Sequence, residues 1–448
     1  MRSTSNQEPK NCSSPRMTRR EYLRIFGGGA AVTGAAGAAG LGLVPLERAV
    51  HAQGSDILKI GLVGCGGRGT GAAADALRAD PHTKLVAMGD VFRDRLQGSR
   101  KNLQTLFADR VDVPEERAFL GFDAYQHVIE CSDVVLLALP TFFHPHYLKA
   151  AVEAGKHVFC EKIHAVDAPG VRMVLEAAEL AKKKGLSIVS GLAWRYDIGV
   201  QETMKRVHDG AIGQIVAIEE ICNTGFLRSV PRRPEWTEME YQLRDWYNFF
   251  WLACDLPGLN MVHNLDKAAW AMRDEPPVRC WGMAGRQSRV GPQYGDAWDH
   301  FAAVFEYANG VKLFGYCRQQ DGTATEISDR FYGTEGRCDL LRNRIVGKVN
   351  WQYQGSPCNR FELEQSALLQ SIRNGQPINN GLYMARSSMM AIMMTWVGYT
   401  GQVITWEQAM ASKRVIAPQR LALDADPPTK PDAQGNYSMP TPGVTRFE

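Results

Sequence analysis

The chain has 448 residues, with 51 basic and 48 acidic side chains, a formal charge of +3 and 9% aromatic content. Seven of the basic and three of the acidic residues lie in the first 52, so the remainder carries 44 against 45, a balance of −1. That balance removes the compositional support for a nucleic-acid-binding surface, and about 395 residues of ordinary composition are long enough for two domains.

The first 52 residues read as a targeting segment and not as fold. Thr18, Arg19, Arg20, Tyr22 and Leu23 resemble a twin-arginine export signal. The apolar run behind them, "GGGAAVTGAAGAAGLGL", is rich in Gly and Ala and poor in Leu, which makes a poor membrane anchor. Val50-His51-Ala52 places small residues for cleavage near Ala52. The expected partner is the twin-arginine machinery and the expected location the periplasm, with no stable membrane anchor.

Ten cysteines are present, and Cys12 lies in the leader, which leaves nine. None sits in a CxxC pair or a zinc spacing, and Cys65, Cys131 and Cys160 fall in or beside apolar strand runs. Free thiols and no metal are expected. His144 and His146, two apart without a third ligand nearby, do not change that.

From Leu58 short apolar runs alternate with amphipathic stretches. "LKIGLVG", "KLVAMGD", "DVVLLALP", "KHVFCEK" and "LSIVSG" are strands. "TGAAADAL", "RDRLQGSRKNLQTLF", "PHYLKAAVEAG" and "GVRMVLEAAELAKKKG" are helices. Continuous apolar strands separated by helices predict an α/β, doubly wound parallel sheet over 56–190. A second, α+β domain over 191–423 and a Pro-rich tail over 424–448 complete the expected layout.

The turn after the first strand, "GCGGRG", carries the dinucleotide fingerprint in Gly64, Gly66 and Gly69, with Cys65, Gly67 and Arg68 between them. The first glycine permits the turn, the second lets backbone approach a pyrophosphate, and the third allows close packing of the helix whose N-terminus attracts the anion. Asp90 ends the second strand, where an acid accepts from an adenosine ribose and repels a 2′-phosphate. NAD is thus expected over NADP, with Arg93 the one residue nearby that favours a phosphate.

"AGKHVFCEKIHA" places Glu161 and Lys162 at a strand's carboxyl edge, and "MVHNLDKAAW" places His263 and Asp266 on a helix. Together with the fingerprint these resemble the Gfo/Idh/MocA family of glucose–fructose oxidoreductases and inositol dehydrogenases, except that Ile163 stands where the family motif has Pro. "WDHFAAVFEYANGVKLFGYCRQQDG", with strand alternation about an Asn-Gly turn, fits that family's open, mainly antiparallel sheet. The resemblance implies a nicotinamide dinucleotide across the first domain and a sugar or polyol at the domain junction. Lys162 then holds both nicotinamide and substrate hydroxyl, and His263 is the general acid/base. A histidine suits proton transfer near neutral pH, and a desolvated lysine beside a cationic nicotinamide shares the role.

One position departs from the pattern. The family's acid four residues before the histidine is Leu259 here, with Pro257 and Gly258 beside it. Asp255 and Asp266 are the carboxylates able to serve from another direction. Pro140 and His144 are expected to flank the cofactor. Trp194 and Arg195, with Tyr196, line the nicotinamide pocket or pack at the domain hinge. "EYQLRDWYNFFWL" is read as core and interface, since it has no basic cluster to make it a nucleic-acid platform. A homo-oligomer, dimer or tetramer, is expected.

Twin-arginine export carries folded proteins, which fits a chain that binds its dinucleotide before crossing and holds it tightly. Two other readings share these residues. One is a glycoside-cleaving enzyme that oxidises its substrate transiently on bound NAD with no net redox change. The other is a cofactor-bound sugar-binding protein without catalysis.

Overall fold

The computed structural model describes residues 56–448. The expected export signal and its cleavage site lie outside them.

The first sheet has six parallel strands: β1 Leu58–Val63, β2 Thr83–Asp90, β3 Ala118–Leu120, β4 Val134–Leu137, β5 His157–Cys160 and β6 Ile188–Ser190. Their order is β3-β2-β1-β4-β5-β6, the doubly wound order that the alternation predicted. The central strands are built from Val, Ile, Leu and Ala with almost no exposure, because helices cover both faces. β3 is three half-buried residues, too short to show a period in sequence. The order reverses between β1 and β4, so the loops after these two strands diverge and open a crevice at their carboxyl ends.

The second sheet has nine strands: β7 Ile215–Thr224, β8 Arg279–Gly285, β9 His300–Glu306, β10 Lys312–Gln319, β11 Glu326–Gly333, β12 Gly336–Asp339, β13 Arg344–Gly347, β14 Trp351–Gln352 and β15 Ile404–Thr405. Its order is β14-β13-β12-β11-β7-β10-β9-β8-β15. Only β7 and β10 pair in parallel, so the sheet is mainly antiparallel. β9 and β10 form the hairpin expected about Asn309-Gly310. β7 alternates buried and half-buried residues, turning Ile218, Glu220, Cys222 and Thr224 inward. Helices Val262–Ala271 and Gly381–Thr400 cover that inner face. The latter is buried on nearly every side and rich in methionine, which fills the irregular space between sheet and first domain.

The chain also returns to where it began. Helix Arg360–Arg373 packs on helix Gly67–Ala79, and Leu368 and Leu369 bury completely in the core on that side of the first sheet. Each such leucine contributes roughly 1.5–3 kcal/mol. The return brings Arg360, Phe361 and Glu364 beside the glycine turn.

Candidate active site

The glycine turn is shaped by contacts that a side chain would destroy. Gly64 has φ +93°, and a Cβ there would meet the Ala138 carbonyl at 2.3 Å. A Cβ on Gly69 would sit 1.8 Å from the Gly64 carbonyl oxygen. Gly66 and Gly67 instead have nothing within 4 Å of a built Cβ, because they face a cavity of about 350 Å³. Helix Gly67–Ala79 begins there without a side-chain cap, so its first N–H groups are open to an anion. Beside the turn, in the same lining, Asp90 is held by two backbone donors, Cys65 N–H at 2.7 Å and Phe92 N–H at 2.8 Å. Burial pushes its carboxyl above the ordinary value. Open backbone and a fixed carboxylate next to it fit a dinucleotide's pyrophosphate and ribose.

Cys65 and Pro140 line this cavity, as expected, and so does Arg68. The Arg68 guanidinium is committed elsewhere. It donates to Glu161 at 2.5 Å, Glu364 at 3.3 Å and Asp75 at 3.4 Å, and it lies over the Phe361 ring. Arg93 points away, with its side chain 70% exposed near Glu115. The arginines that do face the adenosine end are Arg95 and Arg228, and Trp246 and Tyr247 close its wall. The aromatic stretch read as core and interface therefore forms part of the cofactor cleft.

His144 does not face the cavity. It is fully buried, its Nδ1 lies 2.6 Å from the Ile163 carbonyl, and Nε2 accepts from Leu139 N–H at 3.3 Å. Nδ1 therefore carries the proton, and the ring staples the loop after β4 to the loop after β5. Burial lowers its pKa to about 4, so the staple stays neutral.

Glu161 and Lys162 follow β5. The Lys162–Ile163 peptide is cis, at the position of the family motif's Pro. Lys162 Nζ donates to the main-chain carbonyl of Leu259 at 2.5 Å. A single π-helical turn, Pro257–Met261, delivers that carbonyl and runs directly into the helix bearing His263. Position 259, where an acid was expected and Leu stands, thus meets Lys162 through its main chain. Burial is the main cause that lowers the Lys162 pKa, against the pull of Glu161. Burial also lowers the His263 pKa well below its ordinary value, and the cations Lys162, Lys267, Arg360 and Arg68 add to the effect. His263 is therefore a neutral imidazole at neutral pH.

The two alternative carboxylates lie elsewhere. Asp266 is 1% exposed and accepts from Arg195 Nε at 3.1 Å, Arg195 Nη2 at 2.9 Å and Ser387 Oγ at 2.8 Å. Its acceptor positions are filled by Arg195 and Ser387. The expectation of a catalytic Asp266 gives way to a structural tie. Arg195 belongs to the same knot, bridging Asp266 to Asp274 and lying 3.9 Å over the Tyr383 ring. Asp255 is fully buried and accepts from Leu256 N–H, Trp298 N–H and the Tyr399 hydroxyl. It clamps the turn before the π-helix. Trp194 lies under the Arg360 guanidinium at 3.9 Å, with Lys267 Nζ 5.1 Å from its centroid.

Sequence reasoning missed Lys267. It is 1% exposed, pairs with Asp329 at 3.1 Å, and sits one turn beyond His263. Glu220 is directly opposite Asp329 across β7 and β11, also fully buried. Burial and then Asp329 push the Glu220 carboxyl well up. A Lys four residues past a His on a helix was the signal available, but two strands 109 residues apart supply its partners. Among the described residues no group of His, Cys, Asp and Glu could hold a metal ion, and the nine described cysteines are unpaired.

Known proteins resemble this chain in sequence and in fold. Inositol 2-dehydrogenase 4 of Saccharopolyspora erythraea is 32% identical over 165 residues, 35% of this chain and 43% of that protein. Inositol 2-dehydrogenase of Agrobacterium fabrum is 26% identical over 220 residues, 49% of this chain and 55% of that protein. The chain thus spans about half the length of these relatives or less. Two solved structures share the fold across 78% of this chain and 99% of their own, each at 18% identity. They are aldose-aldose oxidoreductase from Caulobacter crescentus, with a TM-score of 0.62, and scyllo-inositol dehydrogenase from Lactobacillus casei with bound NAD(H) and scyllo-inositol, with a TM-score of 0.58. Residues 58–191 match the oxidoreductase family with an NAD-binding Rossmann fold, GFO_IDH_MocA.

Proposed function

We propose that this chain is an NAD-dependent oxidoreductase acting on a hydroxyl of a sugar, polyol or sugar derivative. The observation that carries the reading is the placement of Lys162. The strand-end lysine is brought from the dinucleotide domain onto the Leu259 carbonyl at the foot of the His263 helix. An amine with a lowered pKa and a neutral imidazole thus stand between the cofactor crevice and the second domain.

The turn Gly64–Gly69 and Asp90 would hold the dinucleotide, which supplies a hydride acceptor when bound. The rest falls to the chain's own groups. Lys162 directs its N–H donors at a substrate hydroxyl and fixes that oxygen. As the carbinol C–H leaves as hydride, the hydroxyl proton passes to the His263 imidazole. The cations around His263 make the imidazolium it forms a strong acid, which returns the proton readily to solvent or to a carbonyl in the reverse direction. The names of the relatives, inositol 2-dehydrogenases, support a polyol or sugar as substrate.

The finer reading has support of its own. Asp90, with its carboxylate fixed by two N–H groups, favours an unphosphorylated ribose and hence NAD. We propose that the dinucleotide is tightly held, that the chain is exported through the twin-arginine route to the periplasm, and that it works as a homo-oligomer. For the last, the uncovered face of the second sheet aligns Trp281, Val304 and Phe314 in one cross-strand row and Met283, Ala302 and Tyr316 in the next. Met283 is 73% exposed in the single chain, an apolar surface that a second copy would cover. No helix among the described residues is long and apolar enough to cross a membrane.

The test is to mix purified protein with NAD and a panel of inositols, aldoses and glycosides. Reduced-nicotinamide absorbance and sugar release are both recorded. Absorbance without glycoside cleavage supports this reading, and cleavage without net reduction replaces it with the transient-oxidation reading.

A further inference from the structure

The adenosine end of the crevice is not built by the dinucleotide domain alone. Helix Glu238–Arg244 and the turn Trp246–Asn248, from the second domain, lie across it. Leu243, Trp246 and Tyr247 line the cavity opposite Asp90 and Phe92, and Trp246 and Tyr247 stack at 4.3 Å. This segment is fastened at one residue. The Arg244 guanidinium donates to both oxygens of Asp94 at 3.2–3.3 Å and lies 3.9 Å over the Phe92 ring. Its carbonyl accepts from Arg95 Nη2 at 3.1 Å. Phe92 is the N-cap of the helix that follows Asp90, and Asp94 and Arg95 lie in its first turn. Three residues of the first domain thus grip one residue of the second, beside the place where an adenosine would sit.

The grip uses favourable elements. A two-pronged arginine–carboxylate contact and a stacked guanidinium are stronger than a single-point surface pair. Arg244 is also held from its own helix, by Glu240 at 2.8 Å, so its side chain is aimed before the contact forms. The fastening has a direct consequence for ligand exchange. A dinucleotide seated on the glycine turn and Asp90 would have the Leu243–Tyr247 segment over its adenosine, so its departure requires the Arg244 contacts to open first.

We propose that Arg244 is a latch which closes the segment 238–248 over the adenosine half of the dinucleotide and makes that cofactor resident through successive turnovers. The proposal rests on the dinucleotide-binding reading above and deepens it.

The test follows the cofactor and not the reaction. Purified protein is stripped, reloaded with NAD, desalted and diluted into a trap. The dinucleotide still bound is then quantified over time by absorbance and mass after denaturation. The parent should retain a stoichiometric amount through desalting. Arg244→Ala should release it roughly tenfold faster, and Asp94→Ala roughly two- to threefold faster, since that carboxylate is 67% exposed. Because Asp94 lies on the surface and outside the cavity lining, its variant tests the latch even if Arg244→Ala fails to fold. Release at the parental rate from both variants, or a parent that retains no dinucleotide, overturns the latch. A parent that loses NAD on desalting but reduces added NAD with a polyol overturns only the latch. A parent that retains NAD yet oxidises no hydroxyl overturns the functional reading and leaves the latch in place.

Discussion

The two sides of the cleft are made by different means. The dinucleotide side is shaped by main chain: glycines whose absent side chains let loops pass at contact distance, and a helix start with open N–H groups. The substrate side is shaped by buried charge. Lys162, His263, Lys267 and Arg360 gather there, with Asp329 and Glu220 behind Lys267. Backbone geometry tolerates little substitution and gives a local signature. A charge cluster can be assembled from distant strands, and its members tune one another's protonation. In the function proposed above, the first side selects the cofactor and the second directs the proton.

The comparison is broken most directly at Lys162 and His263. Lys162→Met and His263→Ala should each lower turnover by about two to four orders of magnitude. The double variant should lose much less than the product of the two, because they act on one hydroxyl in one step. NAD affinity, measured by calorimetry, should be nearly unchanged in His263→Ala. An equal loss of NAD binding would erase the separation between the two sides.

Asp266 sharpens it next. Asp266→Asn should lower stability to denaturant by about 3 kcal/mol, since it leaves Arg195 poorly paired in a buried site. The folded fraction should turn over normally. A hundredfold loss of turnover at unchanged stability would return Asp266 to the chemistry.

A smaller effect concerns Asp296, whose side-chain oxygen accepts from Phe250 N–H and whose pKa is raised to about 7, chiefly by burial. A folded-state pKa above the unfolded one means the unfolded chain binds fewer protons over the interval, so stability falls as pH rises through it. Asp296→Asn keeps the acceptor and removes the titration. The variant should match its parent near pH 4 and exceed it by about 1–3 kcal/mol near pH 7. Parallel stability–pH curves for the two proteins would contradict this assignment.

The smallest expected effect lies at Arg360. Its charge helps hold the His263 pKa down, so Arg360→Gln should raise it and move the acid limb of kcat/KM to higher pH by roughly half a unit. An acid limb that stays in place would remove Arg360 from the cluster.

What the sequence disclosed follows the same division. Five of the six parallel strands, the glycine turn and Asp90 were legible because each depends on residues close in sequence and on a strict local pattern. The antiparallel hairpin about Asn309-Gly310 was legible for the same reason. The contact between Lys162 and Leu259 was not, since it is made to a carbonyl presented by a π-turn, and a main-chain atom leaves no residue signature. Arg244 and Tyr247 escaped because their place depends on a segment of the second domain crossing back over the first. Asp266 misled because spacing along a helix says which face a side chain leaves from, but not that Arg195, 71 residues earlier, waits on that face.

The central claim is that one lysine–histidine pair, set against a Rossmann crevice, oxidises a sugar or polyol hydroxyl. The direct measurement is reduced-nicotinamide formation by the parent and by Lys162→Met, under saturating NAD, across inositols and aldoses. The account predicts reduction by the parent with at least one of these compounds, and a rate lower by about two or more orders of magnitude in the variant that still binds NAD. Equal rates in the two proteins, or no reduction by a parent shown to bind NAD, would contradict it.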